Sequence, residues 1–127
     1  MRGAGERSAP FFLALAALMV PAIGLLSFLP GDEKRLLHTR GRYHSWGHLL
    51  AFAVIGFVLV RAGRSERQRG WFLAAAILLG FAIEGGEHLV FSSYLEWKDI
   101  FVDVTGAVGG ALLALATLLE LKRRDEA

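Results

Sequence analysis

Residues 10–29 read PFFLALAALMVPAIGLLSFL, twenty consecutive positions without a charged side chain. About twenty apolar residues in a helix cross the roughly 30 Å hydrocarbon core of a bilayer. Pro21, in the middle, predicts a kink, which membrane helices tolerate where neighbouring groups satisfy the freed carbonyl. This stretch predicts a membrane-spanning helix, and it decides the class of the protein.

Three further apolar segments follow, so the predicted spans are about 10–29, 44–61, 71–91 and 99–121. Trp46, Trp71 and Trp97 fall near the predicted ends of three of them, where interfacial aromatic residues are typical. With 54% hydrophobic residues in 127, the chain has the composition of a membrane protein. We therefore predict a single all-α domain over 1–127, a polytopic four-transmembrane-helix bundle that has the lipid bilayer as a partner.

The composition also excludes several functions. The chain has no cysteine, which removes disulfides, thiolate metal sites and cysteine nucleophiles. Its net charge is only +2, and no aromatic residues alternate with its basic ones in the way of a nucleic-acid surface. We expect no nucleic-acid partner.

Charge between the spans predicts the orientation. With four spans, one side of the membrane carries both ends of the chain and the second connection. It holds nine Lys and Arg residues: Arg2, Arg7, Arg61, Arg64, Arg67, Arg69, Lys122, Arg123 and Arg124. The other side holds five: Lys34, Arg35, Arg40, Arg42 and Lys98. The positive-inside rule then predicts an inner-membrane protein with both termini in the cytoplasm. A cleaved signal peptide over 1–30 is the less favoured alternative, because the apolar run is long and lacks a small-x-small cleavage site.

The third span contains FAIEGGEHLVF, residues 81–91, with two carboxylates and a histidine among apolar residues. Glu84 lies thirteen residues after Trp71, and His48 thirteen residues before Arg61. At 1.5 Å per residue both lie about 20 Å from the inner boundary, in the outer third of the bilayer. Residues three or four positions apart lie on one face of a helix. The polar residues of each span can therefore converge on an outward-facing pocket. The converging residues are His48, Glu84, Glu87, His88, Asp99 and Asp103.

Small residues indicate close helix packing. Gly106 and Gly110 form a GxxxG motif that Ala114 extends, and Gly85 and Gly86 lie beside Glu84. Such stripes let helix backbones approach where lipid supplies no hydrophobic driving force. Packing alone is the favoured interpretation, and a homo-oligomer formed through Gly106 and Gly110 is a second expectation.

In these motifs the chain resembles the VanZ-like membrane proteins, the family named for a teicoplanin-resistance protein. Its pattern places K-x-x-H-x-x-x-F at a helix start, E-x-x-Q near the end of the third span, and D-x-x-x-N-x-x-G at the start of the last. The matching residues here are His48 and Phe52, Glu84, and Asp99 with Gly106. The resemblance covers about 10–119 and implies an envelope-associated protein linked to glycopeptide tolerance, without implying a reaction.

The departures from that pattern all change charge or polarity. Ser45 stands where the family often has Lys, Glu87 where it has Gln, and Asp103 where it has Asn, while Ser93 stands roughly where it has Arg. The chain has gained acidic and lost basic side chains around the pocket. Any family mechanism that relies on the Lys or the Arg is therefore in doubt.

Three interpretations of the polar residues remain open. In the first, the pocket binds or modifies a lipid-linked envelope precursor or a glycopeptide-related target. Glu84, His48 and Asp103 are then the catalytic candidates, with Glu84 or Glu87 as general base and a histidine partner. Glu87, His88 and Asp99 are the binding candidates.

In the second interpretation, the histidines and carboxylates hold a divalent metal ion, for which zinc, manganese and magnesium are candidates. In the third, they are hydrogen-bonded contacts between helices, such as His48 with Glu84, in a non-catalytic structural protein. Intramembrane ionisable groups are costly, which favours function for Glu84 and His48.

Overall fold

A computed structural model describes residues 3–28, 42–92, 94–95 and 97–127, with only the backbone described at 42–44 and 91. Within these ranges the chain forms four helices, α1 (Ala4–Ser27), α2 (Arg42–Ala62), α3 (Glu66–Phe91) and α4 (Trp97–Glu126). Each is long and apolar enough to cross a membrane. No strand occurs within the described ranges. The prediction of an all-α bundle of four candidate spans is confirmed.

Three of the helices extend well beyond their predicted apolar spans. The clearest case is α3, which begins at Glu66, five residues before the predicted start at Trp71. Ser65 is its N-cap, and the Ser65 side chain accepts a hydrogen bond from the amide of Gln68 at 3.2 Å. Such a cap stabilises a polar first turn that hydropathy alone does not detect.

The two ends of the chain lie at the same end of the bundle. The amide of Ala4, at the start of α1, donates to the Asp125 carboxylate near the end of α4, over 2.8 Å. We call this end the terminal end. The opposite end, where α2 and α4 begin and α3 finishes, is the loop end. The segment 29–41, which includes His38 and the basic residues Lys34, Arg35 and Arg40, lies outside the described residues.

Backbone contact between α2 and α4 is the centre of the bundle. A Cβ atom added at Gly110 of α4 would overlap the carbonyl oxygen of Ala53 in α2, and one at Gly56 of α2 would overlap that of Ala107 in α4. At Gly106 an added Cβ would lie 3.1 Å from the amide nitrogen of Ala53. Glycine is required on both helices because no side chain fits between the backbones.

The packing interpretation of the GxxxG motif is thus confirmed within one chain. Gly106 and Gly110 face α2 of the same molecule. A homo-oligomer stays a prediction, and with these two glycines covered it needs a different surface.

Apolar side chains divide between a small core and a large outer surface. Phe52, Ile55 and Ile83 are buried in the core. Leu18 and Leu89, by contrast, are 74% and 80% exposed. Many other large apolar side chains are exposed on all four helices. A surface of this kind fits lipid, because soluble monomers rarely expose large contiguous apolar patches.

Two adjacent glycines of α4 test the helix contact. We expect Gly110→Ala to lower the stability by about 1–3 kcal/mol, because the new methyl group must push α2 away. Gly109→Ala is the matched control, since an added Cβ there meets nothing within 4 Å. The measurement is the thermal unfolding of both variants in detergent. Equal midpoints for the two would contradict the contact.

Candidate functional site

His48 of α2 and Asp103 of α4 form a direct side-chain contact near the loop end. The His48 Nδ1 and Asp103 Oδ1 atoms are 2.7 Å apart. Asp103 is 1% exposed and the His48 side chain 15% exposed. Each residue lies six positions after the start of its helix, about 9 Å along the axis. The two residues predicted to converge are therefore bonded to each other, about two turns inside the bundle.

The packing around this pair fixes its geometry. The Phe52 ring, one turn further along α2, lies nearly parallel to the His48 imidazole, at 10° and 6.5 Å between ring centroids. On the other side, Gly80 of α3 packs against Asp103, since a Cβ added there would lie 3.3 Å from Asp103 Oδ2. Both partners therefore have little freedom to move apart.

The contact also restricts the imidazole ring. An ionised carboxylate only accepts hydrogen bonds, so next to an ionised Asp103 the His48 Nδ1 atom carries the hydrogen. In the neutral ring, Nε2 is then the nitrogen that accepts a proton. A histidine held in this tautomer by a buried carboxylate is suited to act as a general base.

Glu84 and Asp99 lie at one level, closer to the loop end. Gly80 faces Asp103, and α3 and α4 run in opposite directions. Glu84 lies one turn beyond Gly80, and Asp99 one turn beyond Asp103, both towards the loop end. Both side chains are buried, each with 4% exposure. The sequence prediction that these carboxylates share a region with His48 agrees with this placement.

The other two predicted residues lie further out. Glu87 is half-buried, and His88 is exposed in the last turn of α3. Gly86, between Glu84 and Glu87, packs against the ring of Phe28 from the end of α1. A Cβ added at Gly86 would lie 2.6 Å from that ring. An added Cβ at Gly85 meets nothing within 4 Å, so among the described residues Gly86 alone of the two glycines serves a close approach.

The side chain of His44, four residues before His48, lies outside the described part of the chain, as does Ser93, which stands where the VanZ-like pattern has Arg.

The described residues do not form a metal centre. Within the described ranges, no group of three or more His, Asp and Glu side chains is arranged to hold a metal ion. The hypothesis of a divalent metal site therefore receives no support from the geometry. The described residues bring three carboxylates and an imidazole into one region, and groups of this kind accept hydrogen bonds from hydroxyl or ammonium groups.

A second polar site lies at the terminal end and is not predicted by the sequence. Arg61 in the last turn of α2 counts there only as a positive charge that favours the cytoplasmic side, yet it is 8% exposed. Its guanidinium donates to Thr117 Oγ1 of α4 and to Ser8 Oγ of α1, each over 2.9 Å. Hydropathy and residue spacing do not predict contacts among three helices. The sequence signal is a single cation at the end of an otherwise apolar helix.

No family model, curated protein or solved structure matches the chain. The VanZ-like resemblance accordingly rests on the order and spacing of its short motifs.

The His48–Asp103 contact predicts strong energetic coupling. In a double-mutant cycle of His48→Gln and Asp103→Asn, we expect a coupling free energy of about 1–1.7 kcal/mol from unfolding in detergent, at the upper end of the range for membrane helices, because the pair is buried. The exposed pair Arg124 and Glu120, 3.2 Å apart, is the control and should couple by less than about 0.5 kcal/mol. Additive effects at His48 and Asp103 would rule out the bond.

Proposed function

We propose that this is an integral inner-membrane protein of the VanZ-like type, associated with the cell envelope. The group formed by His48, Asp103, Glu84 and Asp99 faces outward, and it binds or modifies a lipid-linked or glycopeptide-related target. The bond between His48 and Asp103 carries the proposal, because a membrane helix seldom buries an acidic residue without a role.

The chemistry of the site favours particular parts of such a target. Carboxylates repel phosphate but accept hydrogen bonds from hydroxyl and ammonium groups. The site would therefore contact the sugar or amino part of a lipid-linked molecule, or an amino group of a glycopeptide, and leave a phosphate elsewhere. Where a reaction follows, the bonded pair of His48 and Asp103 is the candidate to remove a proton from a hydroxyl group of the target.

The residues that depart from the family pattern support a role of this kind. Asp103, at the family's Asn position, is the residue that binds the imidazole. An amide at that place donates as well as accepts and does not hold the ring in a single tautomer. This chain thus combines the family's His48 with a stronger acceptor, and Glu87 adds a further carboxylate at the rim of the site.

A second candidate function is structural, and the same bond favours it. His48 and Asp103 join α2 to α4, and polar contacts between membrane helices contribute about 0.6 kcal/mol on average. In this case the polar group holds a non-catalytic bundle together, and it acts on no target.

Expression in a glycopeptide-sensitive bacterium distinguishes the two. We expect the wild-type chain to raise teicoplanin tolerance, and Glu84→Gln to abolish the effect at an unchanged level of protein in the membrane. Glu126→Gln, an exposed carboxylate at the terminal end, is the matched control and should retain it. The readout is the minimal inhibitory concentration, together with the melting temperature of each purified variant.

Two results would contradict the site proposal. If Glu84→Gln lowers only the melting temperature and leaves tolerance unchanged, the structural function is correct. If the wild-type chain itself confers no tolerance, a glycopeptide-related target is excluded.

The proposed orientation, with both termini in the cytoplasm, has its own test. Because the chain has no cysteine, single reporters can be placed at Tyr94, which is 92% exposed near the loop end, and at Ala127. In intact cells stripped of any outer barrier, a membrane-impermeant maleimide should label Tyr94→Cys and not Ala127→Cys. Labelling of Ala127→Cys alone would show the opposite orientation, in which the site faces the cytoplasm, and would contradict the proposal.

A further inference from the structure

Arg61 is a buried cation whose direct partners are all uncharged. Besides the hydroxyl groups of Ser8 and Thr117, its guanidinium carbon lies 4.6 Å from the centre of the Phe12 ring. Among the described residues no carboxylate forms an ion pair with it. A buried charge without a counter-charge is costly, even with good hydrogen bonds.

A second arginine lies next to it. The stem of Arg69 in α3 crosses the chain at Gly63, where an added Cβ would lie 2.6 Å from Arg69 Cγ. Gly63 lies two residues after Arg61, so the Arg69 stem runs close to the end of α2 that carries Arg61. Arg69 Nη1 binds Glu66 over 2.5 Å, but the Glu66 side chain is 84% exposed and therefore well solvated. The pair as a whole is short of negative charge.

Both arginines also have a donor that is not used. The Nε atoms of Arg61 and Arg69 are buried and have no hydrogen-bond partner within the described part of the chain. Each such N–H group loses its water without replacement, which destabilises the fold. Two cations with two unused donors are what an anion with several acceptor oxygens would satisfy.

We propose that Arg61 and Arg69 bind a phosphate group at the terminal end of the bundle, as a lipid headgroup or as free phosphate. The turn between α2 and α3 joins two spans, so it lies at the depth where lipid phosphates are found. Arg64 in this turn and Arg67 in the first turn of α3, both exposed, add a positive field that attracts anionic lipids. The site is separate from the His48 group, and its test is independent of the function proposed there.

The test is retention of a labelled lipid by the full chain in detergent, at about 1 M salt, where exposed charges are screened. We expect wild type to bind phosphatidylglycerol at least about tenfold more tightly than phosphatidylcholine. Arg69→Gln should weaken the binding about fiftyfold, through loss of a charge-assisted hydrogen bond. Arg67→Gln removes the same charge from an exposed position and should change it by less than about twofold.

The variant Arg69→Lys distinguishes a direct loss of phosphate binding from a loss of folding. It keeps the charge but lacks the Nε–H donor, so we expect about tenfold weaker binding at an unchanged melting temperature without lipid. Competition with inorganic phosphate identifies the source: displacement at millimolar concentration assigns the site to free phosphate, and failure to displace assigns it to the lipid. Equal affinity for the two lipids in the absence of phosphate binding, or equal losses in Arg67→Gln and Arg69→Gln, would overturn the proposal.

Discussion

The backbone contact between α2 and α4 is the constraint on which the rest of the structure depends. Gly56 on one helix and Gly110 on the other let the two backbones touch, and lipid provides no hydrophobic force that would do this instead. At that separation the short side chain of Asp103 reaches His48 directly. Larger residues in place of the glycines would move the helices apart and leave a buried carboxylate without its imidazole.

Polar groups are concentrated at the two ends of the bundle, and the middle is apolar. The His48 group lies near the loop end, while Arg61 connects α1, α2 and α4 near the terminal end. The helix α1 has few buried residues, only Ala9 and Ala16, and its Ser8 hydroxyl accepts a hydrogen bond from Arg61. The two ends carry opposite excesses of charge, acidic at one and basic at the other, and hence favour different ligands.

The sequence predicts the helices well because a spanning helix must satisfy its own backbone groups and be apolar along its length. It also predicts that His48 and Asp103 converge, since both fall towards the outer side of their spans. It does not predict the early start of α3 at Ser65, which depends on a cap, or the burial of Arg61. Those features arise from individual side-chain contacts, which a hydropathy profile does not report. In the sequence, Arg61 looks like any other cation at the end of a span.

The most direct test of the account is the protonation of the His48 ring, measured by nitrogen-15 NMR on histidine-labelled protein in detergent or lipid. The chain has four histidines, and the spectrum of His48→Gln identifies the signal. The account predicts a hydrogen on Nδ1 that is shifted by a strong hydrogen bond and loses that shift in Asp103→Asn. A ring with its hydrogen on Nε2 alone, unchanged by Asp103→Asn, would contradict it.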